Sequence, residues 1–182
     1  MKTRKKIINW LFEKSQVFYT KNFKKNKTPW NLTVKQLCGY PKTTFGYKLG
    51  LFLKQNGFEL LPKVERHDAY HVLTGFGTKV EDEIALQYLC YGNGKRSKYL
   101  FGVLFLGTVL LPEYFQYYKK AYTLGKQSNT FHHFDFKLLL LLHYQNFKDT
   151  IFSKKTQQEL SCLQKENNLQ TSNTFNYGTS KE

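Results

Sequence analysis

Residues 66–83, RHDAYHVLTGFGTKVEDE, decide how the rest of the chain is organised. His67 and His71 are four residues apart, which places them on one face of a helix, about one turn from each other. Asp68 lies beside the first histidine, and Glu83 follows after a turn that contains two glycines. This arrangement predicts two consecutive helices that bring imidazole and carboxylate groups together.

The negative charge of the chain is concentrated in the same stretch. Five of the thirteen acidic residues lie between Glu65 and Glu83, although the protein has a net charge of +15. None of the five histidines precedes His67. Unpaired carboxylates are costly in the apolar surroundings of packed helices. We therefore expect a bound cation there, most naturally a divalent metal, and a structural polar cluster is the alternative.

Three classes of metal site compete as explanations of this pattern. In zinc proteases with a His-Glu-x-x-His motif the glutamate is the general base. Here Asp68 takes the position of that glutamate, and its side chain is one methylene shorter. Phosphohydrolases with a His-Asp pair generally need a separate upstream histidine, which this chain lacks. A site of two histidines and two carboxylates from adjacent helices fits best, and such ligands suit zinc or ferrous iron.

The pattern of apolar residues predicts an all-α fold, because it has helical spacing and no convincing strand alternation. Capping boxes at Thr33 and Thr78 predict the starts of two helices. A long apolar helix from Tyr99 is expected to be kinked or broken at Pro112. Glycines are expected to end four of the helices, at Gly57, Gly75, Gly92 and Gly125.

The composition divides the chain into three parts. Residues 1–28 are a basic, amphipathic N-terminal segment. Residues 29–153 are expected to form a single compact helical domain that contains the candidate metal site. Residues 154–182 are a tail rich in Gln, Asn, Ser and Thr, and we expect its end, from about Gln170, to be disordered.

The positive charge is concentrated in residues 1–48, which contain eleven lysines and one arginine but only one acidic residue, Glu13. Such a segment suits an anionic surface, either phospholipid headgroups or nucleic acid. The chain has only three arginines among its 28 basic residues, so base-specific nucleic-acid binding is not expected. We expect peripheral attachment to an anionic membrane through this segment and an apolar face around Ile7, Leu11 and Phe12. A lysine-rich solvated surface is the alternative.

Cysteine usage and hydropathy indicate the compartment. Cys38, Cys90 and Cys162 are far apart and form no CxxC pair, which favours a reducing environment. No secretory signal is visible, since polar residues interrupt the apolar ones near the start. The longest apolar stretch without a charge, residues 99–112, is shorter than the ~20 residues of a membrane-spanning helix and is expected to be a buried core helix. We expect a cytoplasmic protein on the inner face of the membrane.

The central motif resembles that of a known family. His67-Asp68-x-x-His71, then eleven residues, then Glu83, is similar to the signature of the coenzyme Q biosynthesis protein 4 family. The resemblance extends from Pro29 to Phe152 and is dense only in the middle. The flanking segments that carry it are PKTTFG (41–46) with Phe52, LTGFGT (73–78), EIAL (83–86) and, more weakly, AYTLGK (121–126).

The resemblance implies an all-α fold with a zinc-type divalent ion on His67, Asp68, His71 and Glu83. Zinc is the expected ion, and iron is the alternative because zinc is redox-inert. It also implies membrane-peripheral association, binding of a prenylated ring between helices and a role in ubiquinone assembly. The implied activity removes the ring carboxyl group at C1 and places oxygen there.

Members of the family are also described as organisers of a multiprotein synthesis complex. A non-catalytic scaffold that binds a prenyl lipid at the membrane is therefore the alternative to an enzyme. The expected partners are a prenylated quinone precursor, an anionic membrane surface, other quinone-biosynthesis proteins and further copies of the chain in a homo-oligomer.

Overall fold

The computed structural model of the chain describes residues 3–8, 10 and 28–176, with side chains described as far as Asn167. Over these residues the fold is helical without a β-strand, which confirms the predicted all-α class. Residues 3–8 and 10 are helical as well. The helices that follow are α1 (Val34–Cys38), α2 (Phe45–Asn56), α3 (Glu65–Thr74), α4 (Val80–Gly92), α5 (Lys98–Leu110), α6 (Phe115–Gln127), α7 (Tyr144–Ile151) and α8 (Lys154–Asn176), with 3-10 turns at Pro112–Tyr114 and Phe136–Leu139.

Local capping explains several helix boundaries. Thr33 forms the predicted capping box: its Oγ1 accepts from the Gln36 amide at 3.2 Å, and its own amide donates to Gln36 Oε1 at 2.8 Å. Gly57 and Gly75 follow α2 and α3 with φ of 67° and 82°. Both predicted helix ends are confirmed, because glycine adopts this left-handed conformation without a steric cost.

Two predicted features of helix ends are wrong. Thr78 does not cap α4, because Lys79 occupies the N-cap position and makes no side-chain hydrogen bond there. The acidic residues 81–83 instead place negative charge at the first turn of α4, where it interacts favourably with the helix dipole. Gly125 lies inside α6 rather than at its end. A Cβ on Gly125 would lie 2.1 Å from the Leu89 carbonyl oxygen, so this glycine allows α6 to approach α4 closely.

The core is built around α4, which packs against α5 and α6. This helix is apolar around much of its circumference, as expected for a helix inside a bundle. Its fully buried side chains are Ile84, Ala85, Leu86, Leu89 and Cys90. The helix that carries Glu83 is therefore held in place by the centre of the protein.

The described N-terminal residues pack onto the helical domain. Ile8 is buried, and Arg4 forms an ion pair with Glu113 at 3.0 Å. The Lys5 ammonium lies 2.8 Å from a carboxylate oxygen of Glu81, whose side chain is 1% exposed. Part of the positive charge near the start of the chain is thus paired with acidic residues of the same molecule.

The segment predicted as a polar tail forms the long helix α8. Its backbone is helical beyond Gln170, where we expected disorder, and continues to Asn176. Residues 177–182 lie outside the described part of the chain. The side chains of α8 that are buried recur at spacings of four, three and four residues, which is one helix face: Thr156, Leu160, Leu163 and Asn167.

The apolar helix α5 is buried on one face only, although we expected it to lie in the core. Its inner face buries Leu100, Val103, Leu104 and Gly107, and its outer face exposes Phe101, Phe105, Leu106 and Val109. Among the described helices, none is long and apolar enough by itself to cross a membrane. The pair formed by α5 and Pro112–Gln127 meets that criterion jointly, with a bend of 104° between them.

Candidate metal centre

His67, His71 and Glu83 meet where α3 and α4 adjoin. One carboxylate oxygen of Glu83 lies 3.2 Å from Nε2 of His71, and the other lies 3.2 Å from Nε2 of His67. The two imidazole centroids are 4.7 Å apart, with an angle of 70° between the ring planes. One donor atom from each residue can be chosen so that all three lie within 4.8 Å of one another. The structure therefore brings together three of the four residues that the sequence singles out.

Asp68 is not a member of this cluster. It follows His67 on α3, and successive residues of a helix point in different directions. Its side chain is partly exposed, and its negative charge contributes to raising the pKa of His71. Its assignment as a fourth ligand stays a prediction.

The orientation of His71 is fixed by the chain that leaves α3. Residues 75–79, here called the link, join α3 to α4. Gly75 reverses the chain, and the carbonyl oxygen of Phe76 lies 3.0 Å from Nδ1 of His71. Because a carbonyl oxygen can only accept, Nδ1 carries the hydrogen, and in the neutral ring Nε2 keeps the lone pair that a metal requires. That nitrogen is the one that faces Glu83.

Electrostatics keep the carboxylate ionised. Burial by itself would raise the pKa of Glu83, but its electrostatic interactions and hydrogen bonds with His71 and His67 outweigh burial and hold the pKa far below its usual range. For His71, burial is outweighed by Glu83, the Phe76 carbonyl and Asp68, so the pKa is raised. For His67, burial dominates and lowers the pKa. Near neutral pH, Glu83 is therefore charged and His67 is neutral, as metal ligands must be.

An open pocket of about 550 Å³ borders the cluster at His71. The pocket lies between α2, the link and α8. Its polar wall residues include Lys48, Gln55, Asn56, Lys79, Asp82 and Gln164, and its apolar ones include Leu51, Phe52 and Val72. A polar ligand in this pocket would lie next to the candidate centre.

The donor set fits a divalent ion. Imidazole nitrogen and carboxylate oxygen are common ligands of zinc and of ferrous iron. Two histidines and one glutamate make up the protein ligands of one class of catalytic zinc site, which leaves a position for water or substrate. The side chains of His67 and Glu83 are 27% and 23% exposed, so the cluster is accessible from solvent, whereas His71 is buried.

Sequence reasoning did not identify several contacts at and near the cluster. The Phe76 carbonyl and the ring of Phe52 contact His71. The side chains of Gln164 and Asn167, on α8, donate hydrogen bonds to Thr74 on α3 and Asp82 on α4. The signal that could have identified α8 is the helical spacing of its buried residues. A carbonyl group has no sequence signature, so the contact of Phe76 with His71 follows only from the geometry of the link.

Comparison with known proteins bears on the fold. No family model matches the sequence, and no curated protein matches it significantly. Among solved structures, the chain is similar to a protein from Nostoc punctiforme PCC 73102 that is described as a candidate ubiquinone biosynthesis protein. The TM-score is 0.56 at 18% sequence identity, over 80% of this chain and 79% of that chain. This likeness shows that the two chains share a helical fold.

Proposed function

We propose that this chain is a divalent-metal protein of ubiquinone-type quinone biosynthesis. The observation that carries the proposal is the convergence of His67, His71 and Glu83, at the spacing of the His-Asp-x-x-His…Glu motif. The description of the Nostoc punctiforme protein supports the same process. The reaction we propose is oxidative decarboxylation at C1 of a prenylated hydroxybenzoate ring, with molecular oxygen as the oxidant. The bond from C1 to the carboxyl carbon breaks and releases carbon dioxide, and a C1–oxygen bond forms. Molecular oxygen takes up the two electrons, so that the acid, water and O2 give the phenol, carbon dioxide and hydrogen peroxide.

The residues of the site have different proposed roles. His67, His71 and Glu83 would hold the ion, zinc or else iron, and Asp68 is proposed as a further ligand. When bound, the ion would act as a Lewis acid that lowers the pKa of the ring phenol. The Phe76 carbonyl orients His71. The ring would occupy the pocket beside His71. Two lysine side chains in the pocket wall, Lys48 and Lys79, would attract its carboxylate.

The prenyl tail and the membrane are proposed to meet the apolar outer face of α5. Ile7 and Trp10 in the N-terminal segment are also exposed, at 46% and 56%. Apolar side chains and basic charge together favour attachment to an anionic membrane. The other residues of the predicted membrane-facing helix, Leu11 and Phe12, lie outside the described residues. Binding to acidic liposomes should fall with salt, and equal binding to neutral liposomes would contradict this part of the proposal.

Metal analysis of the purified protein tests the centre directly. The wild-type chain should contain about one zinc or iron ion per molecule, and His71→Ala should abolish binding. His133→Ala is the matched control, because His133 is an exposed histidine outside the cluster. Full metal content in His71→Ala would show that the ligands are misassigned.

The second candidate is a non-catalytic, prenyl-lipid-binding scaffold in a quinone-synthesis complex. The exposed apolar face of α5 favours it, because such a face suits a lipid whether or not chemistry occurs. The deciding experiment supplies metal-loaded protein with a prenylated, carboxyl-labelled hydroxybenzoate under oxygen and measures released carbon dioxide. No release, together with lipid binding that survives Glu83→Gln, would favour the scaffold over the enzyme.

A further inference from the structure

Helix α8 contacts the start of the link between the two ligand helices. The Gln164 side-chain amide donates a hydrogen bond to the carbonyl oxygen of Thr74, the last residue of α3, at 2.9 Å. The same side chain covers Gly75, where a Cβ would lie 3.1 Å from Oε1 of Gln164. The end of α3 and the reversal of the chain are therefore held from α8.

The same helix also holds the start of α4. Asn167 is buried, and its amide nitrogen donates to Oδ1 of Asp82 at 2.9 Å. The hydroxyl of Tyr117, on α6, donates to the same oxygen at 2.7 Å. The other oxygen of Asp82 lies over Gly77, where a Cβ would come within 2.7 Å of it. Asp82 thus joins α8, α6 and the link at one point.

These contacts act on two of the three candidate ligands. Glu83 is the residue after Asp82, so the anchoring of Asp82 sets the position of the first turn of α4. His71 is oriented by the Phe76 carbonyl, which lies in the link. Helix α8 contacts the chain on both sides of the link, at Thr74 before it and at Asp82 after it. Removal of a group that orients a metal ligand through a hydrogen bond commonly weakens metal binding about 10–100-fold.

We infer that Gln164 and Asn167 are positioning residues of the metal centre, and that α8 is part of that centre rather than a peripheral tail. The inference rests on the proposed metal site. Their amide groups donate to Thr74 and Asp82, which lie on the two ligand helices. They fix the separation of α3 and α4 through the link, and this separation sets the distance between Nε2 of His71 and the Glu83 carboxylate.

The test uses the full chain and two metal probes. Zinc affinity is measured by competition with a chromophoric chelator, and coordination geometry is measured from the visible absorption of the Co²⁺-loaded protein. Gln164→Ala/Asn167→Ala should bind zinc about tenfold more weakly and should change the cobalt bands. Glu166→Ala is the matched control, because it lies on the same helix and loses only an exposed ion pair with Lys120. It should remain within about twofold of wild type.

A second control separates positioning from general stability. Leu163→Val weakens the packing of α8 in the core but leaves both hydrogen bonds, so it should lower the thermal midpoint without changing zinc affinity. If it loses as much zinc affinity as the double variant does, the inference is overturned. Wild-type affinity and an unchanged cobalt spectrum in a folded double variant also overturn it.

Two further outcomes decide the inference. If the double variant does not fold, Gln164→Ala alone carries the test, because that side chain is partly exposed. A loss of about threefold or more supports the inference, and no loss overturns it. If the wild-type chain binds neither zinc nor Co²⁺, the proposed metal site fails, and the inference fails with it. That result appears in the wild-type arm and is thus distinct from a failure confined to the variants.

Discussion

The ring of Phe52 lies nearly parallel to the imidazole of His71, with centroids 5.5 Å apart and 13° between the planes. Phe52 belongs to α2, so this contact joins a third helix to the candidate metal centre. One face of the imidazole is thereby covered by an apolar ring. Because electrostatic interactions strengthen away from water, the cover strengthens the interaction of His71 with Glu83.

Replacing Phe52 with alanine should weaken both folding and metal binding. We expect a loss of about 1–3 kcal/mol of unfolding free energy, below the value for a fully buried phenylalanine because this one is partly exposed. Zinc affinity should fall about three- to tenfold, since His71 would lose one of the contacts that orient it. Leu51→Ala is the control, because Leu51 is a similarly exposed neighbour on the same helix. Equal losses of affinity in the two variants would contradict the role of the stacking.

Zinc binding should release about one proton per chain near pH 6.5. His71 has a raised pKa and must lose its proton, whereas the pKa values of His67 and Glu83 are lowered and both groups already bind as bases. The apparent affinity should therefore rise with pH until the raised pKa of His71 is passed, and level off above it. Calorimetry in buffers of different ionisation enthalpy measures the number. Release of two protons would mean that His67 is also protonated in the metal-free protein.

The residues of the candidate site could be predicted because the signals that identify them are local. Helical periodicity alone places His67 and His71 on one face, and a short glycine-containing turn brings the next helix beside them. The same reasoning could not separate Asp68 from the cluster, because that depends on the direction of each side chain in the folded protein. The close approach at Gly125 is a tertiary feature as well, since it involves a carbonyl far away in the sequence.

The role of α8 was missed for a different reason. Its composition is polar, and composition alone indicates a solvated tail. Its buried face contains Leu160 and Leu163 but also Thr156 and Asn167, and each of the two polar residues has a hydrogen-bond partner inside the protein. The outer face of α5 presents the reverse case, since apolar residues that would normally indicate a core position are exposed.

The ion pair of Lys5 with Glu81 should matter more for stability than that of Arg4 with Glu113. Lys5→Met would leave the buried carboxylate of Glu81 without its cation, and we expect a loss of about 2–3 kcal/mol of unfolding free energy. Arg4→Met should cost less than about 1 kcal/mol, because both side chains of that pair are more than a third exposed. Urea unfolding measures both values.

A third variant distinguishes loss of the pair from loss of packing at Lys5. In Lys5→Met/Glu81→Gln the buried group is neutral, so much of the stability should return. If the double variant is as unstable as Lys5→Met alone, the effect comes from the packing of the lysine side chain rather than from the unpaired charge.

Two glycines on facing helices set how closely α4 and α6 approach. A Cβ on Gly92 would lie 2.1 Å from the Tyr122 carbonyl oxygen, and one on Gly125 would lie 2.1 Å from that of Leu89. Both neighbours are backbone atoms and cannot rotate away. Gly125→Ala should therefore force the two helices apart, with a loss of about 3 kcal/mol or more.

Gly102 provides the matched comparison. It lies inside α5, and a Cβ there would meet nothing within 4 Å. Gly102→Ala should therefore stabilise the protein by about 0.5–1 kcal/mol, because alanine loses less backbone entropy in a helix. Opposite signs for the two substitutions, measured by chemical denaturation, would establish that the helix contact requires a glycine at 125.

Because α4 carries Glu83, Gly125→Ala should also reduce zinc affinity, whereas Gly102→Ala should leave it unchanged. A Gly125→Ala protein with wild-type stability would show that α4 and α6 can separate freely and would contradict the close approach.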